Sequence, residues 1–202
     1  MTRLSVENRK ISFEHLKIAE FVDSNSKGLD LGCGNGTLME YLEKTKNVNI
    51  QGIEISEEYI YKCVERGLCV LHTDFNKGLS AYQNDSFDFV ILSQSLQQVK
   101  NIDTVLDEAL RVGKKVIIGF PNFAHISLRF DMLIHGRAPV TDCLPDNWNN
   151  TPNIRFLSIK DFENFCKNKK YKIIAKSFIS NGKNICCFPN LFAQQAIFVI
   201  TK

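Results

Sequence analysis

Residues 29–38 read LDLGCGNGTL, an acid followed by three glycines at alternate positions, Gly32, Gly34 and Gly36. Glycine inside a strand or helix costs stability relative to alanine, so three in one turn mark a place where backbone approaches a ligand closely. A turn of this kind, opening a helix, aims backbone N–H groups at whatever binds there. The pattern departs from the dinucleotide fingerprint G-x-G-x-x-G: Gly32 and Gly34 fit it, but Thr37 stands where the last glycine belongs. That weighs against a nicotinamide-dependent enzyme. Two further acids follow. Glu54 closes GIE eighteen positions after Gly36, where a carboxylate can accept hydrogen bonds from ribose hydroxyls. Asp74, in HTDFN, can accept from an adenine amino group or can simply shape a turn.

A second set of reactive side chains lies between residues 121 and 157: His125, Arg129, Asp131, His135, Arg137, Asp142 and Trp148. His125 is the best single candidate for a base or polar contact, with a structural histidine as the alternative. Arg129 and Arg137 can grip a carboxylate or can form ion pairs. Among these, His125 and Arg137 are retained as catalytic candidates, and no catalytic residue is assigned beyond them. No metal site is expected. Seven cysteines, at 33, 63, 69, 143, 166, 186 and 187, include no C-x-x-C pair.

The elements that must hold these residues follow from hydrophobic periodicity. An N-terminal helix is expected over about 8–24, with Phe13, Leu16, Ile18 and Phe21 on one face. Strands are expected at 27–31, 49–55, 68–72, 86–94 and 114–120, and closing strands at 171–179 and 195–201. Helices alternate with the first five, from about Gly36, after Ser56 and over 103–112, where Gly113 stops the last. Ser158 and Asp161 have the spacing of a capping box. This alternation predicts an α/β fold with a mostly parallel sheet covered on both faces. If the first strand ends at Leu31, the glycines sit beyond a strand carboxyl end, where doubly wound sheets bind ligands. Residues 121–157 are too long for a simple connection and hold Pro121, Pro139, Pro145 and Pro152, so they read as a lid or functional insertion.

The 202 residues suit one domain spanning 1–202, and 44% hydrophobic with 23% charged residues is ordinary for a soluble globular protein. A net charge of +3 with no Lys/Arg block gives no footprint for a nucleic-acid partner. No apolar run approaches a membrane span and the N-terminal residues lack a signal-peptide core, so a reducing cytoplasm is expected.

LDLGCGNG, Glu54, Asp74-Phe75 and SFDFVILSQSLQ together resemble the class I S-adenosylmethionine-dependent methyltransferases. That resemblance implies a Rossmann-like fold with a seven-stranded sheet whose last strand is antiparallel. It also implies S-adenosylmethionine (or S-adenosylhomocysteine) as cofactor, with its methionyl part near Asp30, Gly32 and Gly34. The ribose would lie on Glu54, the adenine beside Asp74 and Phe75, and the segment Ser93 to Ser95 on the facing wall, with Cys33, Gly36 and Ile55 also among the cofactor-binding residues. FPNFAH, GRAPVTDCLPDNW, TPNI, DFENFC and FPNLFA resemble the MetW family more narrowly, from about residue 27 onward. This second resemblance implies a methionine-biosynthesis protein that partners a homoserine O-acyltransferase, with no assigned methyl acceptor. The chain departs from that pattern at Ile126, Asp146, Asn149 and Gln194, outside the cofactor turn. An N-P-P-Y tetrapeptide, used for amino methylation of bases, is missing after strand four, where Ser93-Gln94-Ser95-Leu96 stands. The cofactor's role, as reactant or as sensor of methionine status, is left open.

Overall fold

The computed structural model describes residues 11–77, 79–141 and 143–202. Five parallel strands come first: β1 (Lys27–Leu31), β2 (Asn49–Glu54), β3 (Cys69–His72), β4 (Phe89–Ser93) and β5 (Val116–Pro121). They are followed by β6 (Lys172–Ser180), β7 (Lys183–Asn184) and β8 (Gln195–Thr201). The sheet runs β3-β2-β1-β4-β5-β8-β6-β7, with β8 antiparallel between β5 and β6. This is the expected Rossmann-like order with one addition. The two-residue β7 returns on β6 through Asn181-Gly182, whose φ values of 49° and 68° suit a tight hairpin.

Side chains on the inner strands alternate between two cores. Leu29, Leu31, Val90, Leu92, Ile118 and Phe120 pack with α4 (Ile102–Val112) and α6 (Ile159–Lys169). Phe89, Ile91, Ile117 and Ile50 pack with α1 (Phe13–Glu20), α2 (Thr37–Lys46) and α3 (Glu57–Glu65) on the other face. Near-continuous apolar strands are what a sheet covered on both faces requires.

Local signals set the ends of these helices. The expected helix over 8–24 is shorter as α1, because the Ser12 side chain accepts from the His15 N–H and Phe21 closes the last turn. Residues 8–10 lie outside the described residues. The Ser158–Asp161 capping box is present at the start of α6. Between β5 and α6 comes α5 (Ile126–His135), then irregular chain. Asn122, 1% exposed, ties this segment down. Its Nδ2 donates to the carbonyls of Asn190 and Ala193 at 3.1 and 2.7 Å, and its Oδ1 accepts from the N–H groups of Ala124 and Ile159. Asn190 belongs to the short helix α7 (Pro189–Phe192), so one buried amide joins the FPNF and FPNL segments.

Candidate functional site

β1 pairs with β2 on one side and β4 on the other, so chain crossovers diverge between β1 and β4. A cleft of about 630 Å³ opens beyond the carboxyl ends of these strands. Asp30, Gly32, Cys33, Gly34, Glu54, Ile55, Asp74, Phe75 and Ser93 all line it. Nine of the ten cofactor candidates read from sequence thus converge on one concavity. Gly36 does not line it. It caps α2 with φ 75°, and a Cβ there would meet Leu68 Cδ1 at 2.4 Å and Cys63 Sγ at 2.9 Å, so its smallness serves packing between α2 and α3. Gly34 has φ 54° and nothing within 4 Å of an added Cβ, so its bare backbone faces open cleft.

Glu54, 8% exposed, organises the turn. Its Oε2 accepts from the Gly34 N–H at 2.8 Å, and its Oε1 accepts from the N–H groups of Ile55 and Ser56 at 2.8 and 2.9 Å. Two oxygens offer about four acceptor positions, so three bonds leave room for about one donor from a ligand. Asp30 lies deeper, 2% exposed, and its Oδ1 has no hydrogen-bond partner. Burial, reinforced by the neighbouring Glu54 carboxylate, pushes the Asp30 pKa up to about 7. An unpartnered buried carboxyl beside a cleft calls for a cation or a donor.

Asp74 fulfils its turn role: its Oδ1 accepts from the Asn76 N–H and Nδ2, both at 2.9 Å. Burial pushes the Asp74 carboxyl upward, but these bonds and the charges of Lys77 and Lys100 outweigh it and hold the carboxyl below its usual value. The Cys33 side chain points under β2, where a Cβ on Gly52 would meet its Sγ at 2.5 Å, and burial raises its thiol pKa. Cys33 therefore offers the cleft backbone rather than thiolate.

Gln94 and Ser95 line the cleft beside Ser93; His15, Asn35, Tyr59, Gln98, Lys100 and Pro152 also line it, and the sequence did not single these six out as ligand contacts. His15 comes from α1. Its Nδ1 is buried without a partner, and burial lowers its pKa, keeping the ring neutral near pH 7. Gln94 has a left-handed backbone, φ 54°, uncommon outside glycine. Its Nε2 donates to Glu14 Oε2 at 2.8 Å, and Ser93 Oγ donates to Glu14 Oε1 at 3.3 Å. Glu14 is 5% exposed, and burial pushes its pKa up to about 7 against those two bonds.

His125 and Arg137 are not brought into this cleft. His125 caps α5, with Nδ1 2.7 Å from Ser127 Oγ and 3.3 Å from the Ser127 N–H. Arg137 lines a separate cleft with Asp131 and Trp148. Asp131 itself bonds His135 Nδ1 at 2.6 Å. Asp142 lies outside the described residues. No group of three or more His, Cys, Asp or Glu among the described residues is arranged to hold a metal ion, and no described helix is long and apolar enough to cross a membrane.

Residues 12–200 match the family profile described as Methionine biosynthesis protein MetW. A bifunctional methionine biosynthesis protein MetXA/MetW from Rhodopirellula baltica is 39% identical over 205 residues, covering 95% of this chain. The chain spans only 33% of that relative's length. Among solved structures, an S-adenosylmethionine-dependent methyltransferase from Mesorhizobium loti superposes with a TM-score of 0.69 at 13% identity, covering 95% of this chain and 98% of the other. A possible histamine N-methyltransferase from Thermotoga maritima gives 0.65 at 18% identity, with 93% and 87% covered. At such identities these structures establish the methyltransferase fold and nothing finer.

Proposed function

The chain belongs to the MetW family of methionine biosynthesis proteins, and from that footing we propose that its cleft binds S-adenosylmethionine and that the protein supports the homoserine O-acyltransferase step. One observation carries the cofactor reading: acids at three successive strand ends surround one cleft, and the innermost, Asp30, has a buried oxygen without a partner.

The residues fit the molecule part by part. Asp30 and the Gly32–Gly34 backbone suit a methionyl ammonium, which supplies the missing donor and favours the ionised carboxylate. Glu54 suits one ribose hydroxyl, given its three existing bonds. Ile55, 64% exposed, and Phe75 offer apolar surface to an adenine, with Asp74 at its edge. S-adenosylhomocysteine shares these groups and fits the same reading.

The acyltransferase reading is supported by the family and by the fused Rhodopirellula relative, whose name joins MetXA to MetW. A reducing, cytoplasmic setting belongs to this reading, and Cys33, Cys63, Cys69, Cys166, Cys186 and Cys187 are free thiols. The test is the rate of purified homoserine O-acyltransferase with and without this chain, at several S-adenosylmethionine concentrations. The reading expects a rate that depends on the chain. An unchanged rate under all conditions would overturn it.

His15 favours a second reading, a working small-molecule methyltransferase. When bound, the sulfonium cofactor supplies an electrophilic methyl group. A neutral imidazole with an unpartnered Nδ1 at the same cleft can accept the proton of an acceptor's hydroxyl, thiol or amine. Incubation of the chain and labelled donor with cell extract separates the readings: a labelled product favours the second, and its absence with binding proven removes it.

A further inference from the structure

Helix α5 is inside out. A surface helix normally buries an apolar stripe and turns polar residues to water. In α5 only Leu128 is buried, while Phe130, Leu133 and Ile134 are 53%, 78% and 70% exposed. At 100° per residue these three lie on the side of the helix opposite Leu128. Ser127, at one edge of this face, and Asp131, between that edge and Leu128, form one wall of a cleft of about 660 Å³ whose other walls include Arg137, Val140 and Trp148. Trp148 is 79% exposed and Val140 is 52% exposed. Large exposed apolar side chains on α5, with a tryptophan and an arginine in the cleft beside it, are the composition of a binding hot spot. The face is also anchored from beneath, by the Asn122 hydrogen bonds and by buried Leu144, whose N–H donates to the Thr141 carbonyl at 3.0 Å. It does not belong to the cofactor cleft, with which it shares no lining residue.

We infer that the outer face of α5 with Arg137, Val140 and Trp148 is the surface on which the homoserine O-acyltransferase docks, through an apolar patch of the acyltransferase that carries a carboxylate. This rests on the acyltransferase reading above. The carboxylate follows from Arg137, whose guanidinium has no hydrogen bond or ion pair among the described residues. Covering it with purely apolar surface would strand a buried charge, so the occupant must bring an acid. A second copy of this chain suits the face less well. It would bring another unpaired Arg137, while its Asp131 is already held by His135 and its Asp146 is half-buried. The linkage of MetXA to MetW in the fused relative keeps the two proteins at high effective concentration, which a modest docking patch can use.

The test is calorimetric and size-exclusion analysis of the chain mixed with purified homoserine O-acyltransferase, for wild type, Trp148→Ala, Leu133→Asp and Arg137→Glu. All three positions are exposed, and an S-adenosylmethionine titration with thermal unfolding checks that each variant is folded. The expected result is a wild-type complex weakened at least tenfold by each substitution, with cofactor binding unchanged in Trp148→Ala and Leu133→Asp. A wild-type complex that all three variants form equally well would overturn the surface assignment and leave the acyltransferase reading standing. Absence of any wild-type complex, free or cofactor-bound, would overturn that reading and the surface with it. Loss of self-association in the variants, with acyltransferase binding intact, would assign the face to a second copy instead.

Discussion

Asp30 and Glu14 are two buried carboxyl groups whose pKa values stand near 7, and each leaves a mark on stability. Each keeps its proton in the folded chain at pH values where the unfolded chain has lost it. The stability they confer is therefore complete below about pH 4 and is lost as pH rises through about 7. Thermal unfolding of the ligand-free protein is expected at a lower temperature at pH 8 than at pH 5.5, and Glu14→Gln should flatten part of that dependence. Asp30→Asn keeps the shape and removes the charge. At pH 8 it should stabilise the ligand-free protein by about 1–3 kcal/mol while weakening S-adenosylmethionine binding at least tenfold, a pairing typical of a residue kept for function. Scanning calorimetry and ligand titration measure the two halves separately. Gly34→Ala makes a different case. Its φ of 54° and open surroundings predict about 1 kcal/mol of backbone strain and a methyl group in the cleft, so binding should suffer more than folding.

Elements bring together what the chain keeps apart. Gln94 and Glu14 are 80 positions apart and meet because α1 packs where β4 and β5 end. Gly119 on β5 makes room for it: a Cβ there would lie 2.3 Å from Glu14 Oε1. The glycine turn and the acids at Glu54 and Asp74 were legible in sequence because their spacing is local and repeats with each strand. His15 and Lys100 were not, since only the topology carries α1 and the chain beyond Ser95 to the same cleft. His125 read as a candidate base because PNFAH gives no local sign that its ring closes a helix turn. The hairpin at Asn181-Gly182 did have a signal, the Asn-Gly pair, but the strand beyond it is two residues long. Asn122 is the element-scale test. Replacing it with alanine removes four hydrogen bonds joining the α5 segment, α6 and α7, and should cost about 2–4 kcal/mol. Hydrogen exchange should rise first in residues 122–157 and 189–194.

At the scale of the whole molecule, the proposed cofactor cleft and the proposed docking face are separate. One end of the sheet holds the glycine turn and the acidic strand ends, and the α5 face lies outside that cleft. Ser93, which lines the cleft, pairs with Gly119 of β5, and β5 runs on through Asn122 into the segment that holds α5. If the two are coupled, the coupling is reciprocal: the acyltransferase must change the affinity for S-adenosylmethionine by the same factor that S-adenosylmethionine changes the affinity for the acyltransferase. The central claim, that the cleft is a cofactor site, comes before any coupling. Its most direct test is a calorimetric titration of the purified chain with S-adenosylmethionine at pH 6 and pH 8, in wild type and Asp30→Asn. The expected result is saturable one-to-one binding, tighter at pH 8 than at pH 6, with proton release at the lower pH and a marked loss in Asp30→Asn. A folded wild-type chain that takes up no S-adenosylmethionine at either pH would contradict the claim and leave the glycine turn as scaffold alone.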